Sequence, residues 1–296
     1  MSIKFRIKKF IGRSYPVLLT LPAVIWIFAV CIYPTAQVIW LSFWGAERGR
    51  LDTFAGLSHY MRWFTDDYFH MVMYNTFYIT FIGVALRLLV GLLIALMLVR
   101  SKLTNYLMPI LLLPWSISGV VISIMLKWMV DPAYGLLNYF LMDVIPLLNK
   151  PYNYMANAET ARWMIILGQT WGSIPYAAVV LVAAIQAIPR DIYESAQVDG
   201  ANTLQRFRYI TIPWLVPAIQ YLAIINTVFG LRSFIFIWIL TMGGPGGATE
   251  VYGTYLYRQF FEYLEQGWAS SIGVFMMILN FIIVVIFTKT LRARVY

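Results

Sequence analysis

Six long apolar stretches restrict what this chain can fold into more than any other feature of its sequence. A helix crosses the hydrocarbon core of a bilayer with roughly 20 apolar residues. The stretches that reach this length are residues 17–43, 77–99, 106–130, 163–188, 214–240 and 268–288. Their uninterrupted length favours helices, because a transmembrane barrel uses short alternating segments. Only 12% of all residues are charged, against about 25% in soluble domains. The sequence therefore predicts an all-α integral membrane protein with six transmembrane helices.

The distribution of charge gives these spans an orientation. With the N-terminus in the cytoplasm, thirteen Lys and Arg residues fall in the inner segments and six in the outer ones. Carboxylates show the reverse distribution, with three in inner segments and ten in outer ones. The positive-inside rule therefore predicts that both termini are cytoplasmic. The three long outer segments, 44–76, 131–162 and 241–267, contain aromatic residues, and we expect them to fold back as interfacial helices.

The sequence lacks the chemistry of an enzyme and of most ion-coupled transporters. No Asp or Glu falls within a predicted span, whereas proton- and sodium-coupled transporters usually place a carboxylate near the midplane. The single cysteine excludes a cysteine-clustered metal site. The glycine-rich run at 243–247 lacks the Gly-Lys-Ser/Thr of a phosphate-binding loop and indicates a tight turn. We expect no catalytic residue, metal or cofactor in this chain, and no nucleic-acid partner, because the basic residues form no continuous stripe.

Residues 189–213 form the one long inner segment and have the pattern of two short helices. Gly200 suits the left-handed residue that ends a first helix. Asn202 and Gln205 have the spacing of a capping box that begins a second helix. Pro213 is expected to stop this second helix.

The surface of this inner loop has two interpretations. Tyr193, Ala196 and Leu204 are expected to face water beside charged side chains. Such a surface suits a helix that lies on lipid headgroups, and it equally suits a helix that docks into a cytoplasmic partner. The residues alone leave both interpretations open.

The same loop resembles the EAA motif of permease subunits in ATP-binding-cassette (ABC) importers. The family pattern is Glu-Ala-Ala-x-x-x-Gly followed by Phe-x-x-Ile-x-x-Pro, and this chain departs from it with Ser195. The matching residues are Glu194, Ala196, Gly200, Phe207, Ile210 and Pro213. Further motifs resemble the carbohydrate-type permeases, which are similar to those of the maltose and glycerol-phosphate importers. These motifs are Tyr33-Pro34, Leu113-Pro114-Trp115, and the segments 131–138 and 240–247.

This resemblance implies a fold, a set of partners and a location. The fold is that of a type I (MetI-like) importer permease, with one transmembrane domain over residues 1–296 and a coupling loop at 189–213. The implied partners are a second permease, two ATPase subunits that bind ATP and magnesium, and a periplasmic binding protein that delivers a sugar or sugar derivative. The implied location is the bacterial inner membrane, where the chain contacts lipid. The residues expected to couple to the ATPases are Glu194, Ala196, Asp199, Gly200, Ala201 and Phe207. The alternative, a stand-alone secondary transporter or channel, leaves the inner loop unexplained.

The resemblance also implies a sugar site on the fourth and fifth spans. The candidate residues are Gln169, Ser173 and Tyr176 on the fourth span and Asn226, Gly230 and Ser233 on the fifth. Within each span their spacing of three or four residues brings them to one helical face. Hydrogen-bonding side chains beside aromatic rings suit a sugar. The alternative is that these residues only form hydrogen bonds between helices.

Two arginines within the predicted spans complete the set of candidate substrate contacts. Arg87 lies near the middle of the second span, where a cation is costly. It has two interpretations: contact with an anionic sugar, or hydrogen bonds to backbone carbonyls at a helix interface. Arg232 lies towards the end of the fifth span, at a place where the family often has a basic residue, and it is a candidate for either a solute contact or a structural role.

Overall fold

A computed structural model describes residues 19–47 and 50–290 of the chain. The described chain is almost entirely helical, with one short β-hairpin. The basic residues predicted to face the cytoplasm at the two ends, Lys4 to Arg13 and Arg292 with Arg294, lie outside the described residues.

Five helices among the described residues are long and apolar enough to cross a membrane, and a bent pair of helices makes up to six spans. The five helices are α1 (Leu19–Leu41), α3 (Asp67–Val99), α7 (Ala158–Gln186), α9 (Thr203–Leu231) and α12 (Gln266–Thr290). The bent pair is α4 (Thr104–Ser116) and α5 (Gly119–Met129). Shorter helices are α2 (Ser58–Arg62), α6 (Leu136–Tyr139), α8 (Arg190–Val198), α10 (Ile235–Leu240) and α11 (Tyr252–Tyr257). The predicted spans 17–43, 77–99, 163–188 and 268–288 therefore each correspond to a long helix over their described residues.

The third predicted span, 106–130, is not a single helix but corresponds to the bent pair α4 and α5. Between α4 and α5 the chain bends by 85°. Ile117 is extended, with ψ 134°, and the Ser118 side chain accepts a hydrogen bond from the backbone N–H of Val120. Ser118 is therefore the N-cap of a new helix, and this local capping explains why an uninterrupted apolar stretch forms two helices.

The fifth predicted span also differs from the structure at both ends. The helix ends at Leu231 rather than at residue 240, and residues 235–240 form the separate helix α10. At the other end Pro213 does not stop the loop helix, because α9 continues through it. A π-helical turn at Phe207–Thr211 shifts the hydrogen-bond register there, so that Pro213 lies in the first turn of the following α-helical segment. A proline costs little in that position, since the N–H that it lacks has no partner inside the segment.

The outer segment 44–76 was expected to be helical, and this prediction was wrong for its first part. Strands β1 (Trp44–Glu47) and β2 (Arg50–Phe54) form an antiparallel hairpin. Trp44 lies opposite Phe54, and their rings meet edge to face with centroids 5.5 Å apart. Cross-strand aromatic pairs of this kind stabilise a hairpin.

The described residues divide into two compact units. The first consists of residues 19–47, 50–64 and 258–276. Arg62 connects its distant parts: Nη1 donates to Oε2 of Glu265 at 2.9 Å, and the guanidinium lies 4.4 Å from the ring centroid of Trp268. Trp63 meets Phe275 edge to face at 4.9 Å. Aromatic and charge-assisted contacts therefore hold this unit together.

The second unit consists of residues 65–257 and 277–290, and its core is the contact of α3 with α7. Two apolar clusters lie along this helix pair. One cluster includes Ile79 and Ile166, together with residues of α5 and α10. The other includes Ala95 and Leu181, together with residues of α9. Between the clusters, the stretches of α3 and α7 carry polar side chains.

Close approach of α3 to α7 depends on small side chains. A methyl group added at Gly91 would lie 2.9 Å from Cβ of Ala177 and 3.4 Å from the Ala177 backbone. Small residues at such contacts let helix backbones approach each other in a membrane protein. The pair formed by Gly91 and Ala177 therefore sets the separation of the two helices.

We predict that Gly91→Ala destabilises the chain. Replacing glycine by alanine inside a helix normally stabilises it by about 1 kcal/mol. Here the clash with Ala177 should reverse the sign and lower the free energy of unfolding by about 1–3 kcal/mol. Denaturant unfolding of the purified protein in detergent measures the change. Gly119→Ala is the control, because a methyl group there meets nothing within 4 Å. A Gly91→Ala variant more stable than wild type would contradict this packing.

Candidate functional site

A cavity of about 650 Å³ opens within the second unit, between the two apolar clusters. Its volume is in the range of small-molecule sites, which extends from about 300 to 1,000 Å³. Six helices line it: α3, α4, α5, α7, α9 and α10. The polar side chains in its wall are Arg87, Gln169, Ser173, Tyr176, Tyr221, Asn226 and Ser233, and none of the described lining residues is a carboxylate.

The structure brings together all but one of the residues predicted as substrate contacts. The residues that line the cavity are Arg87, Gln169, Ser173, Tyr176, Asn226, Gly230 and Ser233. Arg232 is exposed at the end of α9 and does not line the cavity. Gly230 has a second role, since a methyl group there would lie 2.7 Å from Cγ2 of Thr80. It therefore allows α9 to approach α3 closely beside the cavity.

Hydrogen bonds connect the polar residues across helices. Gln169 Nε2 donates to Oγ of Ser233 at 2.7 Å, and Arg87 Nη2 donates to Oε1 of Gln169 at 3.3 Å. Ser173 Oγ and Asn226 Nδ2 donate to backbone carbonyls one turn earlier in their own helices, at 2.9 and 2.8 Å. Gln169 and Ser233 thus do link helices, as the alternative interpretation proposed, and they do so in the wall of a cavity.

Arg87 is only 4% exposed and reaches the cavity from the middle of α3. Its guanidinium lies over Gly83, where a methyl group would come within 3.2 Å of Nη2. Nε is buried and has no hydrogen-bond partner. An Arg at the centre of a membrane helix costs roughly 2.5–3.5 kcal/mol on insertion scales. The one hydrogen bond to a neutral amide leaves most of this charge uncompensated.

Aromatic rings form one side of the cavity, and most of them were not predicted from the sequence. Trp115 stacks on Tyr176 with ring centroids 5.5 Å apart and an angle of 16° between the ring planes. The hydroxyls of Tyr176 and Tyr221 are 2.7 Å apart and hydrogen-bonded. Tyr221 and Phe229 lie eight residues apart on α9 beside Asn226, so helical spacing could have identified them. Trp115 could not be found in this way, since it lies on α4 and meets Tyr176 only through the packing of α4 on α7.

The inner loop has the predicted turn between its helices. Gly200 adopts φ +79°, in the left-handed region, and no atom lies within 4 Å of a methyl group added there. Asn202 and Gln205 form the predicted capping box: the Gln205 N–H donates to Oδ1 of Asn202 at 2.9 Å, and the Asn202 N–H donates to Oε1 of Gln205 at 2.8 Å. Gly200 therefore separates α8 from α9 by a turn that only a residue tolerant of positive φ can make.

The surface of this loop differs in part from the prediction. Leu204 is exposed as expected, whereas Tyr193 and Ala196 are half-buried. The hydroxyl of Tyr193 is 2.8 Å from Oγ1 of Thr211, which joins α8 to the π turn of α9. Among the predicted coupling residues, the exposed ones are Glu194, Asp199 and Gly200, and the half-buried ones are Ala196, Ala201 and Phe207. Large apolar side chains also face outward: Val198 is 87% exposed, Leu204 72% and Tyr209 70%.

The glycine-rich run at 243–247 is a tight turn, as its sequence indicated. Gly243, Gly246 and Gly247 all have positive φ. Asn75 Nδ2 donates to the carbonyl of Gly247 at 3.0 Å, and Arg162 Nε donates to the carbonyl of Ala248 at 2.9 Å. The turn is therefore fixed to α3 and α7 by side-chain hydrogen bonds to its backbone.

The chain is similar to known transport proteins over most of its length. Residues 87–295 match the family described as "Binding-protein-dependent transport system inner membrane component". The trehalose/maltose transport system permease protein MalF of Thermococcus litoralis is 34% identical over 236 residues, which are 79% of this chain and 77% of that protein. The sulfoquinovosyl glycerol transport system permease protein SmoG of Agrobacterium fabrum is 30% identical over 286 residues, which are 95% of this chain and 92% of that protein.

A solved structure has the same fold. It is a chain of a bacterial ABC transporter involved in the import of the acidic polysaccharide alginate, with a TM-score of 0.83 and 26% sequence identity. The match covers 98% of the present chain and 100% of the other. The fold is therefore that of an ABC importer permease, and the chain acts in transport rather than as a catalyst. It belongs to the family of inner-membrane components of binding-protein-dependent transport systems.

Proposed function

We propose that this chain is the permease subunit of an ATP-driven importer of a sugar or sugar derivative, and that it forms half of the translocation pore. The observation that carries the proposal is the cavity of about 650 Å³ in a chain of this family, with polar side chains between two apolar clusters. The names of two relatives support a carbohydrate solute. MalF is a permease protein of a trehalose/maltose transport system, and SmoG is one of a sulfoquinovosyl glycerol transport system.

The wall of the cavity has the two kinds of group that a sugar requires. Hydroxyl groups of a sugar exchange hydrogen bonds with side chains such as Ser173, Gln169 and Asn226. The flat, apolar faces of a sugar ring suit an aromatic surface such as the stacked pair of Trp115 and Tyr176. The cavity therefore fits a solute that has many hydroxyls and an apolar ring face.

The loop at 189–213 is proposed to dock with an ATPase subunit. It presents Val198, Leu204 and Tyr209 as large exposed apolar side chains, next to the exposed carboxylates of Glu194 and Asp199. Apolar anchors surrounded by charge are typical of protein interfaces. In this proposal the loop faces the cytoplasm, as do both termini. ATP and magnesium are held by the ATPases, and a second permease completes the pore.

Transport then requires that the partners favour different states of the pore. A partner shifts such an equilibrium only if it binds the two states with different affinity. The ATPases would do so through the loop, and a solute-loaded periplasmic binding protein would do so on the opposite side of the membrane. This chain, residues 1–296, supplies half of the pore and the loop that joins it to an ATPase.

We predict that this chain alone neither hydrolyses ATP nor transports. Liposomes that contain only this permease should show no uptake above protein-free liposomes. Liposomes that contain both permeases and the ATPases should take up the solute that the binding protein delivers, and only with ATP inside. Robust uptake by the single chain would contradict the proposal and would favour a stand-alone secondary transporter or channel.

We further predict that Gly200→Val uncouples ATP hydrolysis from uptake. The φ of +79° costs a non-glycine residue about 1 kcal/mol or more, and a β-branched side chain increases this cost. Because nothing lies within 4 Å of a Cβ added at Gly200, the helices should still fold and assemble. Gly200→Asn is the matched control, since asparagine tolerates the left-handed region. The measurement is solute imported per ATP hydrolysed, which should fall several-fold for valine and much less for asparagine. Equal ratios in the two variants would show that the turn at Gly200 is not required for coupling.

A further inference from the structure

We infer that the cavity contains an anion subsite, formed by the Arg87 guanidinium and the N-terminus of α5, and that the transported solute carries a carboxylate, sulfonate or phosphate group. This inference rests on the proposed function, because it takes the cavity to be the place where the solute passes. It adds the charge of the solute, which the hydroxyl-binding residues leave open.

The first component is the charge of Arg87. The side chain is buried, its Nη2 donates to a neutral amide, and Nε has no partner. No carboxylate among the described residues forms an ion pair with it, and none lines the cavity. Buried charges in proteins are normally paired or hydrogen-bonded throughout. An anionic group in the cavity would provide the missing partner.

A purely structural role would give Arg87 different contacts. An arginine that only joins helices can place its five N–H donors on oxygen atoms of several neighbouring elements. Here the one hydrogen bond is long, at 3.3 Å, and its acceptor Gln169 also donates to Ser233. Gln169 holds the guanidinium at the cavity by a hydrogen bond, and the missing side chain of Gly83 leaves room for it. Neither residue neutralises its charge.

The second component is the start of α5. The first N–H groups of a helix have no partner inside the helix, and together they carry a partial positive charge. The side chain of Ser118 caps the N–H of Val120, but Gly119 lines the cavity, and a glycine contributes only backbone atoms to such a wall. The break at Ser118 therefore exposes a helix N-terminus to the same cavity that Arg87 faces. Broken helices in transporters present their N-termini to anionic solute groups in this way.

The test measures binding of matched probes to the assembled transporter in lipid nanodiscs. The probes are methyl glucoside, its uronate and its 6-sulfonate, which differ only in the group at carbon 6, together with methanesulfonate as a bare anion. We expect at least one charged glucoside to bind the wild type ~tenfold more tightly than the neutral one, since hydrogen bonds to charged groups are the stronger kind. In Arg87→Gln this preference should disappear, so that the charged and the neutral glucosides bind with equal affinity.

Matched variants separate the two components from general effects. Arg100→Gln removes an exposed cation at the end of the same helix and should keep the full preference. Gln169→Glu supplies a carboxylate beside Arg87, and it should abolish the preference even if Arg87→Gln fails to fold. Gly119→Pro removes the N–H at the first position of α5. The variant should fold, because proline is favoured at that position and Ser118 already has the extended ψ of 140° that a following proline requires. It should lower the preference about fivefold.

Each outcome supports or overturns the anion subsite. Equal binding of charged and neutral glucosides, or a preference that survives in both Arg87→Gln and Gln169→Glu, overturns it. If no glucoside binds, Arg87-dependent binding of methanesulfonate supports the subsite, and the absence of such binding overturns it. The proposed function fails on a different measurement: it is wrong if the same complex takes up solute without ATP. ATP-driven import of a neutral sugar would overturn the anion subsite and leave the proposed function intact.

Discussion

The close contact of α3 with α7 is the constraint on which the rest of the second unit depends. Gly91 against Ala177 brings the two backbones together, and the apolar clusters above and below Arg87 fix the pair along its length. Without this contact, neither Arg87 nor Gln169 would be held beside the cavity. In a lipid environment, where apolar burial between helices gains little, such fitting of small side chains is a principal source of helix association. The packing that stabilises the fold therefore also positions the polar wall.

The polar residues of the cavity serve both stability and proposed solute contact. Gln169 joins Ser233 across helices and also limits where the Arg87 guanidinium can lie. Ser173 and Asn226 satisfy part of their hydrogen-bonding capacity on their own helices, which leaves their remaining capacity for a bound molecule. This sharing explains why the two interpretations of these residues, as links between helices and as a binding surface, do not exclude each other. Because the donors and acceptors of the wall are already partly paired, they keep hydrogen-bond partners when no solute is bound. Arg87 is the exception.

Much of the fold could be predicted from the sequence, because apolar length and helical spacing are local properties. They gave four of the spans, the faces of α7 and α9, and the turn at Gly200. Features could not be predicted in this way where two local sequence patterns favour different structures. The Ser118 cap overrides a continuous apolar stretch, and the π turn before Pro213 removes the cost of a proline that would otherwise end a helix. Trp115 lies on α4, outside the two spans predicted to carry the site, so its contact with Tyr176 is a consequence of tertiary structure.

The π turn at Phe207–Thr211 has a mechanical consequence. Because the helix continues through it, the loop and the wall of the cavity belong to one rod, α9, which runs from Thr203 to Leu231. At 1.5 Å per residue, Asn202 and Gly230 are joined by about 42 Å of unbroken helix. A continuous helix transmits axial rotation and tilt from one end to the other. A small tilt imposed at the capping box would therefore displace Asn226 and Gly230 by an amount that grows with their distance from the pivot, less whatever bending occurs at the π turn and at Pro217.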